Sequence, residues 1–521
     1  MPMDRAKAVA TQCCSSRGSV RPCSARAVLN EMRNFRGEAS GLVPEEVHMQ
    51  TEQVLKTIND IARGKAFLVG GSVRDLLLGN RPHDMDVVVP GSAQSLVFKL
   101  AEAINIKPVI LNNEHDIVRA VFSGRHVDVA GLGGAASLEE DLKRRDFTIN
   151  AMALAADAYL QGDWEGKVID PLGGLNDLRK GVIRACSPLV LEDDPVRVLR
   201  ALRLKGRLGF SLAPETVHLM HNLQHPLSEM PGERVWEELR HILKMPDSFR
   251  VFEFLHYEIK IMHQIFPEVA PMDRMGQNHY HADNVWKHCL KTLCEFERII
   301  VNDNFLDEVK KTVRQYLGQP LTGKRDRLPV LKLACLFHDV GKWETRGERE
   351  DGRITFYGHH RAGSPLAEEI RRRLRMSNPE LKLFRQLVEG HMQPLFLFKD
   401  APSSGKAVLR FFRSLGEETP GCLLLSLADV TSSRTAIGRH DLAKAYREYI
   451  LLLLKRYTEE KHWLLNARSL LTGRDICDIL NLPPCPLVGK LKDKLREAQM
   501  EGSVGTRRQA VEYIQEIYKR V

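Results

Sequence analysis

The chain contains 521 residues, and its length, composition and charge already exclude several classes of protein. Hydrophobic residues make up 43% and charged residues 27% of the sequence, which is typical of globular proteins and excludes a disordered or fibrous chain. The length predicts about three or four domains. No apolar run approaches the roughly 18 residues of a membrane span, so no membrane partner is expected. A formal charge of +9 permits a polyanionic partner without requiring one.

The N-terminal segment, residues 1–42, differs in composition from the rest of the chain. It is rich in Arg, Ser and Ala and contains few acidic residues. This composition is typical of an organelle transit peptide, which would direct the protein to a mitochondrion or a chloroplast. A disordered basic tail on a cytoplasmic protein has the same composition, so both interpretations stay open.

Residues 43–185 show the alternating pattern of a compact α/β head. After a helical segment, "KAFLVGG" predicts a strand that ends in two glycines, "SVRDLLLGN" a helix and "HDMDVVV" a second strand. Further strands are predicted at "PVIL", "IVRAVF" and "HVDVAG".

The remaining sequence is predicted to be helical. Arg and Leu recur at three- and four-residue spacing over a neck at residues 186–272. A histidine-rich helical segment follows at residues 273–436. The last segment, residues 437–521, begins with a long helix whose apolar run "YILLLLK" is predicted to be buried.

Two aspartates, Asp84 and Asp86, stand two positions apart at the start of a predicted strand, where side chains at this spacing share a face. Two adjacent carboxylates need a cation, and a hard divalent ion such as Mg²⁺ suits them when phosphate oxygens complete its shell. Gly70 and Gly71 allow a phosphate to approach the strand-to-helix turn, and Arg74 can donate to it. Together these residues predict a nucleotide-transfer site.

This stretch, "LVGGSVRDLLLGNRPHDMDVVV", resembles the opening motif of the tRNA nucleotidyltransferase/poly(A) polymerase family, in its bacterial-type (class II) branch. The similarity continues through "DLKRRDFTINAMAL", "DPLGGLNDL", "EDDPVRVLRALRLKGRLGF" and "GERVWEELRHIL". It implies an α+β fold: a polymerase-β-like nucleotidyltransferase head with a small mixed sheet, then an all-α neck, a body and a tail. It also implies addition of CCA, or of CC or A only, to tRNA 3′ ends from CTP and ATP with release of pyrophosphate.

The resemblance assigns the nucleotide-binding residues. "RRD" resembles the segment that reads the ribose, where Arg145 and Asp146 can bind the sugar hydroxyls. "DDPVR" resembles the amino-acid template, in which Asp194 accepts from the exocyclic amine of cytosine or adenine and Arg197 donates to the neighbouring ring nitrogen. Uracil and guanine present the reverse pattern and would leave both groups unpaired, at about 1–3 kcal/mol each. Asp194 and Arg197 stand three positions apart and are predicted to project from one face of a helix, and the same side of this helix is predicted to carry Arg200 and Arg203.

A third carboxylate is predicted near the first two. Asp128 lies in "GRHVDVAG", on a neighbouring predicted strand. Three interpretations stay open: a catalytic base, a ligand that completes a metal shell, or an ordinary residue at the end of a strand.

The histidine-rich segment resembles the HD phosphohydrolase domain, in which histidines and aspartates bind metal. The resemblance implies a divalent transition metal or Mg²⁺ in this segment, and phosphodiesterase or phosphatase turnover as an additional activity. Its implied ligands are His288, His338, Asp339, His359, His391 and Asp429.

The C-terminal segment resembles the part of these enzymes that holds the tRNA body, by phosphate contacts that do not depend on base sequence. The implied contacts are Lys490, Lys492, Lys494, Arg507 and Arg508.

Alternatives to a CCA-adding enzyme are a poly(A) polymerase of the same family, a metal-dependent HD phosphohydrolase with a regulatory head, and a tRNA-binding module without turnover.

Overall fold

The computed structural model describes residues 45–519, apart from residues 81, 83, 133, 134, 136, 165, 277–282, 302–308, 324, 401–404, 467, 468, 501 and 502. The predicted transit segment, residues 1–42, lies outside the described residues. Among the described helices, none combines the length and the apolar composition that crossing a membrane requires.

A six-stranded sheet organises the N-terminal part of the chain. The strand order is β3-β4-β5-β2-β1-β6, and all neighbours are antiparallel except β2 and β5, which are parallel. The predicted mixed sheet and its first five strands are thereby confirmed, whereas the short, alanine-rich β6 carries no strand signal in the sequence. The strands are β1 (Phe67–Val69), β2 (Met85–Val89), β3 (Lys107–Asn112), β4 (Ile117–Phe122), β5 (Arg125–Gly131) and β6 (Ala153–Ala155).

The two faces of the sheet have different environments, because side chains alternate along each strand. Met85, Val87 and Val129 point to one face and are buried in the main hydrophobic core beneath helix α3. The intervening residues Asp86 and Asp128 therefore lie on the opposite face. The helices of this part are α1 (Glu45–Ile61), α2 (Gly71–Leu77), α3 (Ala93–Ala103), α4 (Leu138–Lys143), α5 (Ala156–Leu160) and α6 (Gly174–Lys180).

The neck that follows is helical, as predicted, except for one two-residue parallel pair of strands, β7 (Val182–Ile183) and β8 (Ser211–Leu212). Helices α8 and α10 pack against each other and present their polar sides towards the sheet. The neck helices are α7 (Val190–Asp193), α8 (Val196–Leu208), α9 (Pro214–His221), α10 (Gly232–Lys244), α11 (Phe249–Glu253), α12 (Met262–Ile265) and α13 (Val269–Arg274), with a π-helical turn at Phe254–Glu258.

The histidine-rich body, residues 285–436, is a bundle of helices. Two small antiparallel strand pairs, β9 (Pro320–Thr322) with β10 (Arg325–Asp326) and β11 (Gly347–Glu348) with β12 (Ile354–Thr355), connect them. Its helices are α14 (Val285–Val301), α15 (Lys310–Gly318), α16 (Leu328–Phe337), α17 (His359–Leu374), α18 (Asn378–Gly390), α19 (Gln393–Lys399), α20 (Gly405–Leu415) and α21 (Thr419–Ala436).

The C-terminal segment begins with the predicted long helix, α22 (His440–Asn466). Its apolar run is buried at Ile450, Leu453 and Leu454 but exposed at Leu452. The predicted burial is therefore confirmed at those three positions and wrong at Leu452. The last helices form a separate small hydrophobic cluster. They are α23 (Gly473–Leu480), α24 (Pro486–Met500) and α25 (Arg507–Lys519).

Buried polar contacts join the neck to the histidine-rich body. Lys332, whose side chain is fully buried, donates to the carbonyl of Met245 at 2.7 Å and to Glu297 at 2.7 Å. The indole nitrogen of Trp236 donates to the buried Glu380 at 3.2 Å. We refer to these contacts, together with the ion pair between Arg373 and Glu268, as the neck–body joint.

Candidate active site and metal centre

A cleft of about 410 Å³ opens between the sheet and the neck helices α8 and α10. It is lined by eight residues predicted from the sequence: Gly70, Gly71, Asp86, Arg145, Asp146, Asp194, Arg197 and Arg200. Residues that the sequence did not single out complete it: Ile117, Asp141, Arg144, Asn150, Val196, Arg234 and Glu238. The cleft therefore combines motifs that are more than a hundred positions apart in the chain.

Ser72, in the first turn of α2, fixes the backbone at Asp84 and Asp86, of which only Asp86 lines the cleft. Its hydroxyl donates to the carbonyl of Asp84 at 3.3 Å and accepts from the backbone N–H of Asp86 at 2.9 Å. The sequence had suggested that Asp84 lies in the strand. Strand β2 begins at Met85, so Asp84 lies just before it. Gly70 has a φ of +67°, and a Cβ there would approach Asp86 and Arg145 to 3.5 and 3.1 Å.

The charge around Asp86 creates a place for a cation. Desolvation in the cleft and then the carboxylate of Asp128 raise the pKa of Asp86, while Arg145 and Arg200 act in the opposite direction. A raised pKa means that the charged form is disfavoured as the site stands. A carboxylate whose charge is disfavoured by desolvation and by a neighbouring carboxylate is a ligand that fits a hard divalent cation.

Asp128 is adjacent to Asp86, because the two residues are paired in the parallel ladder of β2 and β5. Arg119, on β4, holds both oxygens of Asp128 through its Nε at 2.7 Å and its Nη2 at 2.8 Å. His126 lies 3.5 Å from the carboxylate of Asp84. Arg119 and His126 were not predicted as site residues, although the alternation of polar residues in β4 and β5 was a usable signal.

Arg74 occupies a different place from the one predicted. Arg74 is not among the residues that line the cleft, and its guanidinium is buried beneath the cleft. There it donates to Asn150 at 2.6 Å and to Asp75 at 2.8 and 2.9 Å. Its contact with a phosphate stays a prediction, and in this structure Arg74 instead supports the turn between β1 and α2.

The "RRD" residues face α8 across the cleft. Asp146 is buried and accepts from Arg200 at 2.6 Å, from Asn150 at 3.0 Å and from the backbone N–H of Phe147. Burial favours the neutral carboxyl, but the charge of Arg200 and these hydrogen bonds outweigh it and lower the pKa of Asp146. Arg145 pairs with Asp141 one turn earlier. Asp146 thus connects the head to the neck.

The predicted template residues lie at the start of α8. Asp194 precedes the helix, with an extended backbone before Pro195, so the prediction that both template residues lie in the helix is wrong for Asp194. Arg197, in the first turn, donates to the carbonyl of Val190 and lies 3.7 Å from Asp194. Asp194 also accepts from Arg234 of α10 at 2.6 Å, a partner that the sequence analysis missed.

The two further arginines of α8 differ in position. Arg200 lines the cleft, whereas Arg203 is not among its lining residues and binds Glu238 of α10 at 2.6 Å. Arg203 is therefore connected to the cleft through Glu238, and its contact with base or phosphate stays a prediction.

The six residues implied by the HD resemblance converge in the histidine-rich body, and all are buried. Asp339 lies at the centre: its oxygens are 3.2 Å from Nε2 of His338 and 3.2 Å from Nε2 of His359. Asp429 lies 3.0 Å from Nε2 of His288 on the other side. Overlapping triplets of these groups offer ligand atoms within 4.8 Å of one another.

The histidine tautomers in this cluster suit a metal ion. His338, His359 and His391 each place Nδ1 at 2.7–3.0 Å from a backbone carbonyl, which requires the hydrogen on Nδ1 and leaves Nε2 as a ligand. Nε2 of His359 and Nε2 of His391 are 3.2 Å apart. Two such lone pairs cannot bind each other, but a cation can bind both. Burial and the neighbouring His338 and His359 lower the pKa of His391 to about 3, so this ligand is neutral at pH 7.

The basic residues predicted to contact tRNA lie on the surface of the C-terminal cluster. Lys490 and Lys494 are exposed on α24. On α25, Arg507 pairs with Asp475 at 2.6 Å and Arg508 with Glu512 at 3.1 Å. The remaining residue of this set, Lys492, is partly exposed.

Comparison with protein families places the head and the cleft in a class. A family model described as "Poly A polymerase head domain" matches residues 66–184, and one described as "Probable RNA and SrmB- binding site of polymerase A" matches residues 209–273. The polymerase-β-like head, its paired carboxylates and the helical neck define a nucleotidyltransferase.

Individual relatives identify the family. The A-adding tRNA nucleotidyltransferase of Deinococcus radiodurans is 31% identical over 461 residues, which cover 86% of this chain and 95% of the relative. The CC-adding tRNA nucleotidyltransferase of Synechocystis sp. is 29% identical, over 87% of this chain and 94% of the relative. A crystal structure of a tRNA nucleotidyltransferase with a primer tRNA and an ATP analog covers 78% of this chain at 25% identity, with a TM-score of 0.53. The chain belongs to the tRNA nucleotidyltransferase/poly(A) polymerase family.

Proposed function

We propose that the protein extends tRNA 3′ ends with CCA, or with CC or A only, from CTP and ATP and releases pyrophosphate. The observation that supports this most strongly is the single cleft in which the carboxylate Asp86 of the head and the pair Asp194–Arg197 of the neck face the same cavity. A transfer site and a base-reading pair in one cavity are what a polymerase without a nucleic-acid template requires. The relatives named as A-adding and CC-adding enzymes support the same conclusion.

The residues of the head would orient the reacting groups. We assign Asp84 and Asp86 as ligands of Mg²⁺, which when bound would polarise the phosphate and lower the pKa of the attacking hydroxyl. The absence of a Cβ at Gly70 leaves space for the triphosphate beside Asp86. Arg145, at the same turn, can neutralise phosphate charge, and the ion pair of Asp146 with Arg200 keeps head and neck at a fixed separation.

The neck would select the base. Asp194 accepts from the amine that cytosine and adenine share, and Arg197 donates to the adjacent ring nitrogen. Arg234 holds one oxygen of Asp194, which leaves the other oxygen to meet the base. UTP and GTP would each leave two buried groups unpaired.

An assay with staged substrates tests this proposal. Purified protein is incubated with tRNAs that end before the first C, after C and after CC. Each reaction contains the nucleotides together, and one of them at a time is labelled. A CCA-adding enzyme extends all three and stops after A, a CC-adding enzyme stops before A, and an A-adding enzyme extends only the last tRNA. Extension far beyond three nucleotides would instead indicate poly(A) polymerase, and hydrolysis without extension a phosphohydrolase with a regulatory head.

We further propose that the histidine-rich body holds a divalent metal, with the imidazoles favouring a transition metal over Mg²⁺. Asp339→Asn is expected to abolish this metal, because both Asp339 oxygens face ligand histidines. Metal content measured by atomic emission after dialysis checks this expectation. The exposed Asp351 provides the control: Asp351→Asn should retain the metal, and retention by Asp339→Asn would contradict the assignment.

We propose that the basic residues of α24 and α25 contact phosphates of the tRNA body. Residues 1–42 would direct the protein to a mitochondrion or a chloroplast if they are a transit peptide, and a basic tail on a cytoplasmic protein is the alternative. The division into a head at residues 43–185, a neck at 186–272, an HD domain at 273–436 and a tail at 437–521 stays a prediction.

A further inference from the structure

The sheet face that carries the carboxylates continues past them to an open edge. The register pairs Asp86 with Asp128, Asp128 with Arg119 and Arg119 with Val109. Paired residues of neighbouring strands point to the same face, so these four form one row across β2, β5, β4 and β3. With about 4.8 Å between neighbouring strands, the row is about 14 Å long.

Accessible apolar side chains lie at the outer end of this row and beside it. Val109 is 37% exposed on β3, the edge strand of the sheet. Ile117 of β4 is partly exposed and lines the cleft. Leu111, which is 46% exposed, lies at the bulge opposite Ile117. Aliphatic side chains thus continue the cleft outwards, directly beside the carboxylates.

Positive charge stands between the carboxylates and this apolar surface. Arg119 uses Nε and Nη2 to hold Asp128, while its Nη1 makes no hydrogen bond within the described part of the chain. A guanidinium has five N–H donors, so Arg119 can hold Asp128 and donate to a phosphate at once. Lys107, exposed at the start of β3, is paired with Val121 on the same face and adds a second positive charge.

We propose that this shelf, formed by Val109, Ile117, Arg119 and Lys107, binds the last nucleotides of the RNA acceptor. Arg119 contacts a phosphate and the aliphatic side chains contact the bases, so the terminal hydroxyl lies beside Asp86 and Asp128. This inference rests on the proposed function. An RNA fits the shelf better than a protein partner does, because the shelf is continuous with the cleft and pairs cations with an apolar surface.

A pair of charge insertions on neighbouring residues tests the shelf. Val109→Glu places a negative charge on it, and we expect the KM for the tRNA acceptor to rise about tenfold, equivalent to about 1.4 kcal/mol, while the KM for CTP does not change. Ile110→Glu is the matched control, because Ile110 is 48% exposed on the opposite face of the same strand. It should leave both constants unchanged, and thermal melts of both variants check folding.

Photo-crosslinking gives a second measurement. An acceptor RNA with a thiouridine next to its 3′ end should crosslink to β3 or β4. Crosslinks elsewhere, together with an unchanged KM for RNA in Val109→Glu, would overturn the inference. A change of oligomeric state in Val109→Glu without an effect on RNA would also overturn it and would indicate a surface for a second copy. Failure of the proposed function can be distinguished from failure of this inference, since in the first case the unsubstituted protein would extend no tRNA.

Discussion

Replacing Asp86 by asparagine should abolish nucleotide incorporation while leaving the fold intact. The substitution keeps the shape of the side chain and removes a charge that the reaction requires, so we expect kcat to fall by about 10³-fold or more. The folded protein should not lose stability. Desolvation and the neighbouring Asp128 raise the pKa of Asp86 above its ordinary value in the unfolded chain, so we do not expect its charge to stabilise the folded state. At pH 7 the neutral amide therefore removes a cost to folding.

The two effects are measured separately. Single-turnover incorporation of labelled nucleotide gives the rate, and urea denaturation gives the free energy of unfolding. Asp163→Asn is the control, since Asp163 forms only an exposed ion pair with Lys167. An Asp86→Asn protein that still incorporates nucleotide at a rate near that of the parent would remove the metal assignment. A large loss of stability would show that Asp86 is structural.

Replacing Asp194 by alanine should relax the choice of base. In the proposed function, the variant loses the acceptor that would distinguish the amine of cytosine and adenine from the carbonyl of uracil and guanine. We expect the ratio of kcat/KM for CTP over UTP to fall by about 10- to 100-fold, equivalent to about 1–3 kcal/mol for one buried group. Incorporation of all four nucleotides, measured separately, checks this prediction.

The same motif supplies the control for this experiment. Asp193 is adjacent to Asp194 but exposed, so Asp193→Ala should leave base choice unchanged. If Asp194→Ala reduces the incorporation of all four nucleotides equally, Asp194 does not read the base. Its ion pair with Arg234 would then be a structural link between the start of α8 and α10.

Local patterns predicted much of the head. Alternating residues in "HDMDVVV" and "HVDVAG" predicted the two strands that carry Asp86 and Asp128, because strand periodicity depends on near neighbours. The extended backbone of Asp194 was also predictable, since a residue before proline avoids the helical region. By contrast, β6 lacks any strand propensity of its own, and its pairing with β1 determines its conformation.

Contacts between distant segments were outside the reach of the sequence. The pairing of Asp86 with Asp128 depends on a parallel ladder between strands that are not consecutive in the chain. Arg234 meets Asp194 forty positions earlier, and nothing local distinguishes it from the other arginines of the neck. The burial of Arg74 is a similar case, because Asn150 comes from a different part of the head. One sequence contains no information on such pairs except through a family resemblance.

The neck–body joint has a consequence for any shortened version of the protein. Cutting the chain after the neck would leave the carbonyl of Met245 and the indole of Trp236 without their partners Lys332 and Glu380. It would also expose the packing surface of Gly232, where a Cβ would lie 2.0 Å from the carbonyl oxygen of Arg373. Since α10 also carries Arg234, which holds Asp194, truncation would disturb the proposed base-reading pair through the loss of a scaffold. The role of the histidine cluster must therefore be separated from the support that the body gives to the neck, by single substitutions in the full-length chain.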